Sequence, residues 1–137
     1  GVSSAASDVY KRQGVHLNVT AIMTSDQIKN AIKAIAPGNK AYFSVFAGRI
    51  ADTGKNPIPI MEKCVQILDE YDGCELIWAS PRELLNVIQA NDIGCHIITA
   101  TTDILKKISL IGKNLEEYSL ETVKMFRDDA LASGYSI

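Results

Sequence analysis

The sequence predicts an α/β fold in which parallel strands alternate with helices. From residue 14 onward, short β-branched stretches alternate with stretches that carry an apolar residue every three or four positions. Strands separated by helices pair in parallel through right-handed crossovers. In addition, strands such as HLNVTAIM carry polar residues on one face, whereas strands of a doubly wound sheet are apolar on both faces. Polar residues turned away from the helices are typical of the interior of a barrel near its catalytic end.

The predicted order of elements is four βα units followed by one further helix. The predicted strands are 16–23, 41–46, 75–79 and 94–100. The predicted helices are 25–36, 57–71, one opened by Pro81, 103–108, and a last one capped by Ser119. Because a (β/α)8 barrel typically needs about 250 residues, this order corresponds to its C-terminal half.

Four of these helices have a predicted apolar stripe. In the first helix it consists of Ile28, Ala31, Ile32 and Ile35, and the second carries Ile60, Cys64, Ile67 and Leu68. After Pro81 the stripe consists of Leu84, Leu85 and Ile88, and in the last helix of Val123, Phe126 and Ala130.

The first residues have a different character. GVSSAASDVYKRQ has neither the apolar core of a signal peptide nor a helical stripe, and VSSAASDVYKRQ resembles a translated sequencing-library adaptor. We therefore expect residues 1–13 to be a non-biological tail and residues 14–137 to be the half-barrel, whose N-terminal half is encoded upstream. A genuine disordered N-terminal tail is the alternative.

Composition excludes several function classes. The chain has 137 residues, of which 47% are hydrophobic, and a net charge of −2 without a basic run, which disfavours nucleic-acid binding. No apolar run approaches the roughly 20 residues of a membrane span. The three cysteines, Cys64, Cys74 and Cys95, include no CxxC pair and indicate reduced thiols in a cytoplasmic protein rather than disulfides or a metal site.

Two arginines follow neighbouring strands. Arg49 comes after the second strand in FSVFAGRIADTG, which we interpret as opening a loop, and Arg82 follows the third strand in ASPRE, two residues after Ser80. Two guanidinium groups and a hydroxyl at adjacent strand ends match a phosphate, and the backbone N–H groups after Pro81 would add positive potential. The alternative is two surface arginines, with Arg49 paired to Asp52.

Other polar and aromatic residues allow less specific predictions. Ser80 is expected on the strand face of Trp78, turned away from the helices, while Trp78 and Tyr42 are expected to pack in the interior. His16 and His96 are candidate acid–base groups, although a lone strand histidine is more often structural. Asp52 and Asp103 could serve as bases, but we expect Asp52 to pair with Arg49 and Asp103 to lie at a helix start.

Three segments together resemble a known family. NVTAIMT, SVFAGRIADTG and WASPREL, in this order and spacing, are similar to the C-terminal half of transaldolases, which form one group with the fructose 6-phosphate aldolases. The resemblance covers nearly all of residues 14–137. It implies a (β/α)8 barrel with no metal and no other cofactor. The implied reaction transfers a dihydroxyacetone unit from a ketose phosphate to an aldose phosphate in the pentose phosphate pathway, and the intact protein is a possible homo-oligomer.

The resemblance also implies roles for individual residues. Asn18 corresponds to the asparagine that orients the bound substrate, and Thr20 to the threonine that positions the catalytic water. The remaining matched positions bind substrate: Ser44, Phe46, Arg49, Ser80 and Arg82. Phe46 favours a transaldolase, because the aldolases carry tyrosine at this position.

The nucleophilic lysine of the family is predicted to be absent from residues 14–137. A Schiff-base lysine must be deprotonated near neutral pH and therefore desolvated within a barrel strand. The lysines of this segment are predicted on helices, in loops or at a strand entrance: Lys29, Lys33, Lys40, Lys55, Lys63, Lys106, Lys107, Lys113 and Lys124. The chain is therefore expected to be inactive alone. The alternatives to a transaldolase are a non-catalytic phosphosugar-binding domain and a fructose 6-phosphate aldolase-like enzyme.

Overall fold

The computed structural model describes residues 16–35 and 38–134. The expectation for residues 1–13 therefore lies outside the described residues. The chain forms two compact units, Gly1–Leu105 and Lys106–Ile137, and each is described by itself.

The first unit is built on a parallel sheet of four strands in the order β1-β2-β3-β4. The strands are β1 (Leu17–Ile22), β2 (Ala41–Phe46), β3 (Cys74–Ala79) and β4 (Ile97–Ile98). The helices between and after them are α1 (Ser25–Lys33), α2 (Ala47–Asp52), α3 (Ile58–Leu68), α4 (Leu85–Asp92) and α5 (Thr102–Leu105). Sequential, parallel strands with intervening helices are the arrangement of part of a (β/α)8 barrel, as predicted.

The start of α1 shows how local sequence fixes an element. Thr24 is its N-cap and accepts a hydrogen bond from the backbone N–H of Gln27, while the Gln27 side chain accepts from the backbone N–H of Thr24. This reciprocal pair satisfies donors that a helix start leaves open. Ile28 and Ile32 are buried, as the predicted stripe requires.

One face of the sheet carries the core. Phe43, Val45, Leu76 and Trp78 are almost fully buried and belong to one apolar cluster with residues of α1 and α3. Val45 is aligned with Trp78, and aligned residues of parallel strands share a face. Trp78 therefore packs in the interior as predicted, but on the face that carries the core. Trp78 was predicted to lie, like Ser80, on the face turned away from the helices, and for Trp78 this prediction is wrong.

The segment after β2 differs from its prediction. Residues Ala47–Asp52, expected to be a loop, form α2, whose residues Ala47, Gly48 and Ile50 are buried. The hydrophobic pattern of six residues is too short to distinguish one helical turn from a loop. Arg49 therefore lies on a helix rather than at the opening of a loop.

The helix after Pro81 begins later than predicted. It starts at Leu85, and the predicted stripe is wrong because Leu85 is 53% exposed and Ile88 37% exposed, whereas Ala90 is buried. β4 is also shorter than expected, with two residues. Asp103 does lie in the first turn of α5.

The second unit contains a 3₁₀ helix, Ile108–Leu110, and α6 (Leu115–Ala132). Asn114, rather than the predicted Ser119, caps α6 by accepting a hydrogen bond from the backbone N–H of Glu117. Val123 and Phe126 are exposed, so the predicted inward stripe is wrong. Among the described residues, none of the helices has both the length and the apolar character needed to cross a membrane.

Candidate substrate-binding site

Polar residues of β1 and β2 meet on the sheet face opposite the core. The Ser44 hydroxyl donates a hydrogen bond to Oδ1 of Asn18 over 3.4 Å. Both residues alternate with buried neighbours, Val19 and Val45, which fixes their direction. Asn18 and Ser44 therefore lie on the same face of the sheet, opposite the core.

The end of β1 is irregular next to Thr20. Ala21 has a positive φ of 60°, and the pairing with β2 shifts between Val19 and Ile22. Because of this bulge, Thr20 and Ala21 are both exposed before the alternation resumes at buried Ile22. Bulges reorient side chains and are frequent beside active sites. Thr20 thus lies on the exposed side of β1, two residues after Asn18.

The carboxyl ends of β2 and β3 are in unusually close contact. Phe46, the last residue of β2, is aligned with Ala79, and α2 begins at the next residue. A Cβ atom on Gly48 would overlap with the backbone carbonyl oxygen of Ser80. Ser80 itself has a positive φ of 57°, which ends the strand alternation. Glycine is therefore required at position 48 so that α2 can approach the end of β3.

Arg82 is held by an ion pair. Its Nη2 donates to Oδ2 of Asp52 over 2.8 Å, and the two side chains are 54% and 59% exposed. Asp52 was expected to pair with Arg49, and this expectation is wrong. One turn of helix places Asp52 on the face that carries Gly48, four residues earlier, and this face approaches the segment that contains Arg82.

Arg49 lies next to Gly48 on α2, and its side chain is exposed. It has no ion pair with any residue in 16–35 or 38–134. The structure thus places Arg49 and Arg82 near the ends of two adjacent strands, with the Arg82 guanidinium paired to Asp52 and Arg49 exposed.

The backbone N–H groups after Pro81 were predicted to add positive potential to a phosphate site, but the first two of them are already hydrogen-bonded within the chain. Those of Arg82 and Glu83 both donate to Oδ1 of Asn86, over 2.8 and 3.0 Å. The Asn86 side chain thereby closes the turn that precedes α4. The spacing from Arg82 to Asn86 is the only sequence signal for this contact, because a side-chain amide four residues downstream can satisfy such a turn.

A small cavity of about 60 Å³ lies next to Arg82, between α2 and the start of α4. Its walls include Gly48 and Ala51 of α2, together with Trp78, Arg82 and Asn86. The Nε1 atom of Trp78 is buried and has no hydrogen-bond partner among the described residues. A larger cavity of about 370 Å³ lies at the opposite end of the strands, where Asn39 and Cys74 form part of its wall, and it is therefore remote from the candidate site.

Other candidate groups have structural roles or none. Nδ1 of His96 accepts a hydrogen bond from the backbone N–H of Leu76 over 2.9 Å, which supports the structural alternative for this histidine. His16 is exposed, with its ring 6.5 Å from that of Tyr42. The described lysines all lie outside the four strands.

The cysteines and acidic residues provide no evidence for a metal site. Cys64, Cys74 and Cys95 are free thiols, and burial raises the pKa of each. Residues 16–35 and 38–134 contain no cluster of three histidine, cysteine or carboxylate side chains that would hold a metal ion.

The sequence of the chain is similar to those of one family of known proteins. Residues 3–137 match the family model described as "Transaldolase/Fructose-6-phosphate aldolase". A "Probable transaldolase" of Thermoanaerobacter sp. (strain X514) is 32% identical over 96% of this chain and 57% of that protein. Another, from Caldicellulosiruptor saccharolyticus, is 35% identical over 76% of this chain and 47% of that protein. The chain therefore spans about half the length of the curated relatives it matches.

Proposed function

Because the chain belongs to the transaldolase/fructose-6-phosphate aldolase family, we propose that it is part of a transaldolase and supplies the side of the active site that binds the substrate phosphate. The donor would be a ketose phosphate of the sedoheptulose 7-phosphate type. The acceptor would be an aldose phosphate of the glyceraldehyde 3-phosphate type. We place the enzyme in the cytoplasm and in the pentose phosphate pathway, in keeping with its three free thiols.

The observation that carries the phosphate role is the contact between α2 and the Ser80–Arg82 segment. It brings Arg49, Ser80 and Arg82 to the carboxyl ends of β2 and β3, the end at which barrel enzymes bind substrate. A phosphate between them would accept charge-assisted hydrogen bonds from both guanidinium groups.

Asn18 and Ser44 support the rest of the substrate site. Their hydrogen-bonded side chains project from the sheet face that carries no core, where the sugar carbons of a bound ketose would lie. In this proposal Asn18 orients the substrate, Ser44 contacts one of its hydroxyl groups, and Thr20 positions the water that enters or leaves during catalysis.

Phe46 favours transfer over a simple aldol cleavage. It is half-buried at the end of β2 and has no hydroxyl that would orient a water molecule. The tyrosine of the related aldolases would offer such a hydroxyl at the same strand position. We therefore prefer the transaldolase over the fructose 6-phosphate aldolase.

The proposed reaction needs a lysine that the described strands do not contain. A lysine amine would condense with the ketose carbonyl and release water. The resulting iminium would allow cleavage of the bond between the α and β carbons, so that an aldose phosphate leaves and a three-carbon enamine stays on the lysine. The enamine would then attack the acceptor aldehyde, and water would hydrolyse the product imine to free the lysine. We propose that this lysine, with the carboxyl groups that move protons, lies on strands that precede residue 14 in the whole protein.

The test is to join residues 14–137 to the N-terminal half of a curated relative, such as the Thermoanaerobacter protein, and to measure activity. The joined protein should form an adduct with a ketose phosphate that borohydride traps. Arg82→Ala and Arg49→Ala should weaken the binding of phosphorylated substrates about ten- to a hundredfold, because a hydrogen bond to a charged group contributes roughly 1.5–3 kcal/mol.

Unphosphorylated analogues are the internal control for this test. Asn18→Ala should slow the reaction of phosphorylated and unphosphorylated substrates alike, because in this proposal Asn18 lies near the reacting carbons. If both arginine variants keep the full preference for phosphate, the proposed phosphate site is wrong.

A further inference from the structure

Arg82 contacts α2 at two points on one helix face. Its Nε lies 3.1 Å from the position that a Cβ of Gly48 would occupy, and its Nη2 donates to Asp52 one helical turn later. The side chain therefore lies along the helix between Gly48 and Asp52. The hydrogen bond to Asp52 restricts the Arg82 guanidinium, and the missing Cβ of Gly48 leaves room for Nε beside the helix.

The position of Asp52 is not explained by the stability of α2. Asp52 is the last residue of the helix, where the aligned peptide dipoles carry partial negative charge and disfavour a carboxylate. The ion pair is more than half exposed, and exposed ion pairs contribute little to folding. The orientation of the Arg82 guanidinium is what remains for the Asp52 carboxylate to determine.

We propose that Asp52 is a positioning residue for phosphate binding, which holds Arg82 in its binding conformation. This inference rests on the proposed function. Asp52 accepts one of the five guanidinium N–H groups and leaves the others to the ligand. Because Arg82 is ordered before the ligand arrives, phosphate binding does not have to immobilise a long flexible side chain.

The opposite role predicts an opposite sign. If Asp52 competed with phosphate for Arg82, its replacement by asparagine would strengthen phosphate binding. Replacing Asp52 by a neutral residue also removes Coulomb repulsion between the carboxylate and phosphate, and this effect alone would strengthen phosphate binding. Positioning predicts instead that Asp52→Asn weakens phosphate binding even though it removes a negative charge.

The experiment titrates the 137-residue chain with inorganic phosphate at constant ionic strength and follows the Nε–Hε resonances of arginine by NMR. The chain has four arginines, Arg12, Arg49, Arg82 and Arg127, so the spectrum is simple. Arg82→Lys assigns the Arg82 resonance by its disappearance. Glu83→Gln is the matched control, because Glu83 is the exposed neighbour of Arg82 and its side chain has no ion pair with Arg82.

We expect Asp52→Asn to raise the Kd for phosphate about two- to fivefold, the range that an exposed ion pair covers. The ligand-free Arg82 resonance should also lose intensity, as the guanidinium becomes mobile and exchanges faster. Glu83→Gln should leave the Arg82 resonance unchanged and the Kd equal or slightly lower. Asp52→Glu should recover part of the affinity.

An unchanged or lower Kd in Asp52→Asn, with phosphate binding still lost in Arg82→Ala, would overturn the positioning role and leave the phosphate site intact. If the unmodified chain and Arg82→Ala respond to phosphate equally, the phosphate site itself fails, and the role of Asp52 fails with it. The two failures are therefore distinguishable.

Discussion

Gly48 and Ser80 are in contact at a distance that only glycine permits. A Cβ on Gly48 would overlap with the carbonyl oxygen of Ser80, which belongs to the backbone and has little freedom to move. Gly48 has helical geometry, unlike the six described glycines with positive φ. This contact is what places Arg82 beside α2.

Gly48→Ala should destabilise the protein by at least about 2 kcal/mol, because overpacking a tight contact is costly. Helix propensity alone predicts the opposite, a gain of about 1 kcal/mol for alanine in a helix. The free energy of unfolding in urea decides between the two, and a stabilised Gly48→Ala would show that the contact is loose.

Gly54→Ala is the control for the glycine substitution. Gly54 has a φ of 86° and open space where its Cβ would lie. Its replacement should therefore cost only the backbone term of about 1–2 kcal/mol. Phosphate binding should fall in Gly48→Ala and remain unchanged in Gly54→Ala.

Ala21→Gly should stabilise the chain. Ala21 has a φ of 60°, where a residue with a Cβ is disfavoured by about 1–2 kcal/mol, so glycine would relieve this strain. Glycine also makes the unfolded chain more flexible, which offsets about 0.5–1 kcal/mol of the gain. We expect a net gain of roughly 0.5–1 kcal/mol in thermal or urea unfolding.

Ala41→Gly provides the matched comparison, because Ala41 is fully buried in β2 and has no positive φ. This variant should lose about 1 kcal/mol. Equal losses in Ala21→Gly and Ala41→Gly would mean that the bulge at Ala21 carries no strain.

The parallel sheet and its strand order were predictable, because the order of strands and helices determines them. The partner of Asp52 was not. A short helix replaces the expected loop after β2, and it turns Asp52 toward Arg82, thirty residues away in sequence. Sequence spacing favours the nearby Arg49, whereas the close approach at Gly48 decides the contact.

The exposed Leu85 and Phe126 mark a second limit of the sequence pattern. Both were predicted to lie on buried stripes, yet they are 53% and 62% exposed. Periodicity shows which face of a helix is apolar, but it does not show what covers that face.

Arg82→Lys tests whether phosphate is held by a two-pronged contact. A lysine keeps the charge but offers a single ammonium in place of the planar guanidinium. In the joined protein we expect it to recover only part of the roughly 1.5–3 kcal/mol that Arg82→Ala loses, read from kcat/KM for a phosphorylated substrate. Full recovery would show that charge alone is needed.

Cys64 should make stability depend on pH above about 9. Burial, and next the nearby Cys95, raise the pKa of the Cys64 thiol from 9.0 to about 11. The folded state therefore keeps the Cys64 proton at pH values where the unfolded chain releases it. This contribution to stability is complete below pH 9 and is lost as the pH rises toward about 11.

The expected loss is roughly 1 kcal/mol between pH 8 and pH 10, since one pKa unit corresponds to about 1.4 kcal/mol. Cys64→Ala removes the titrating group, so its urea unfolding should show a flatter decline over the same interval. Groups other than Cys64 are common to both proteins, so the difference between the two pH profiles cancels their contribution. Parallel pH profiles would contradict the raised pKa and mean that the Cys64 thiol is accessible to solvent.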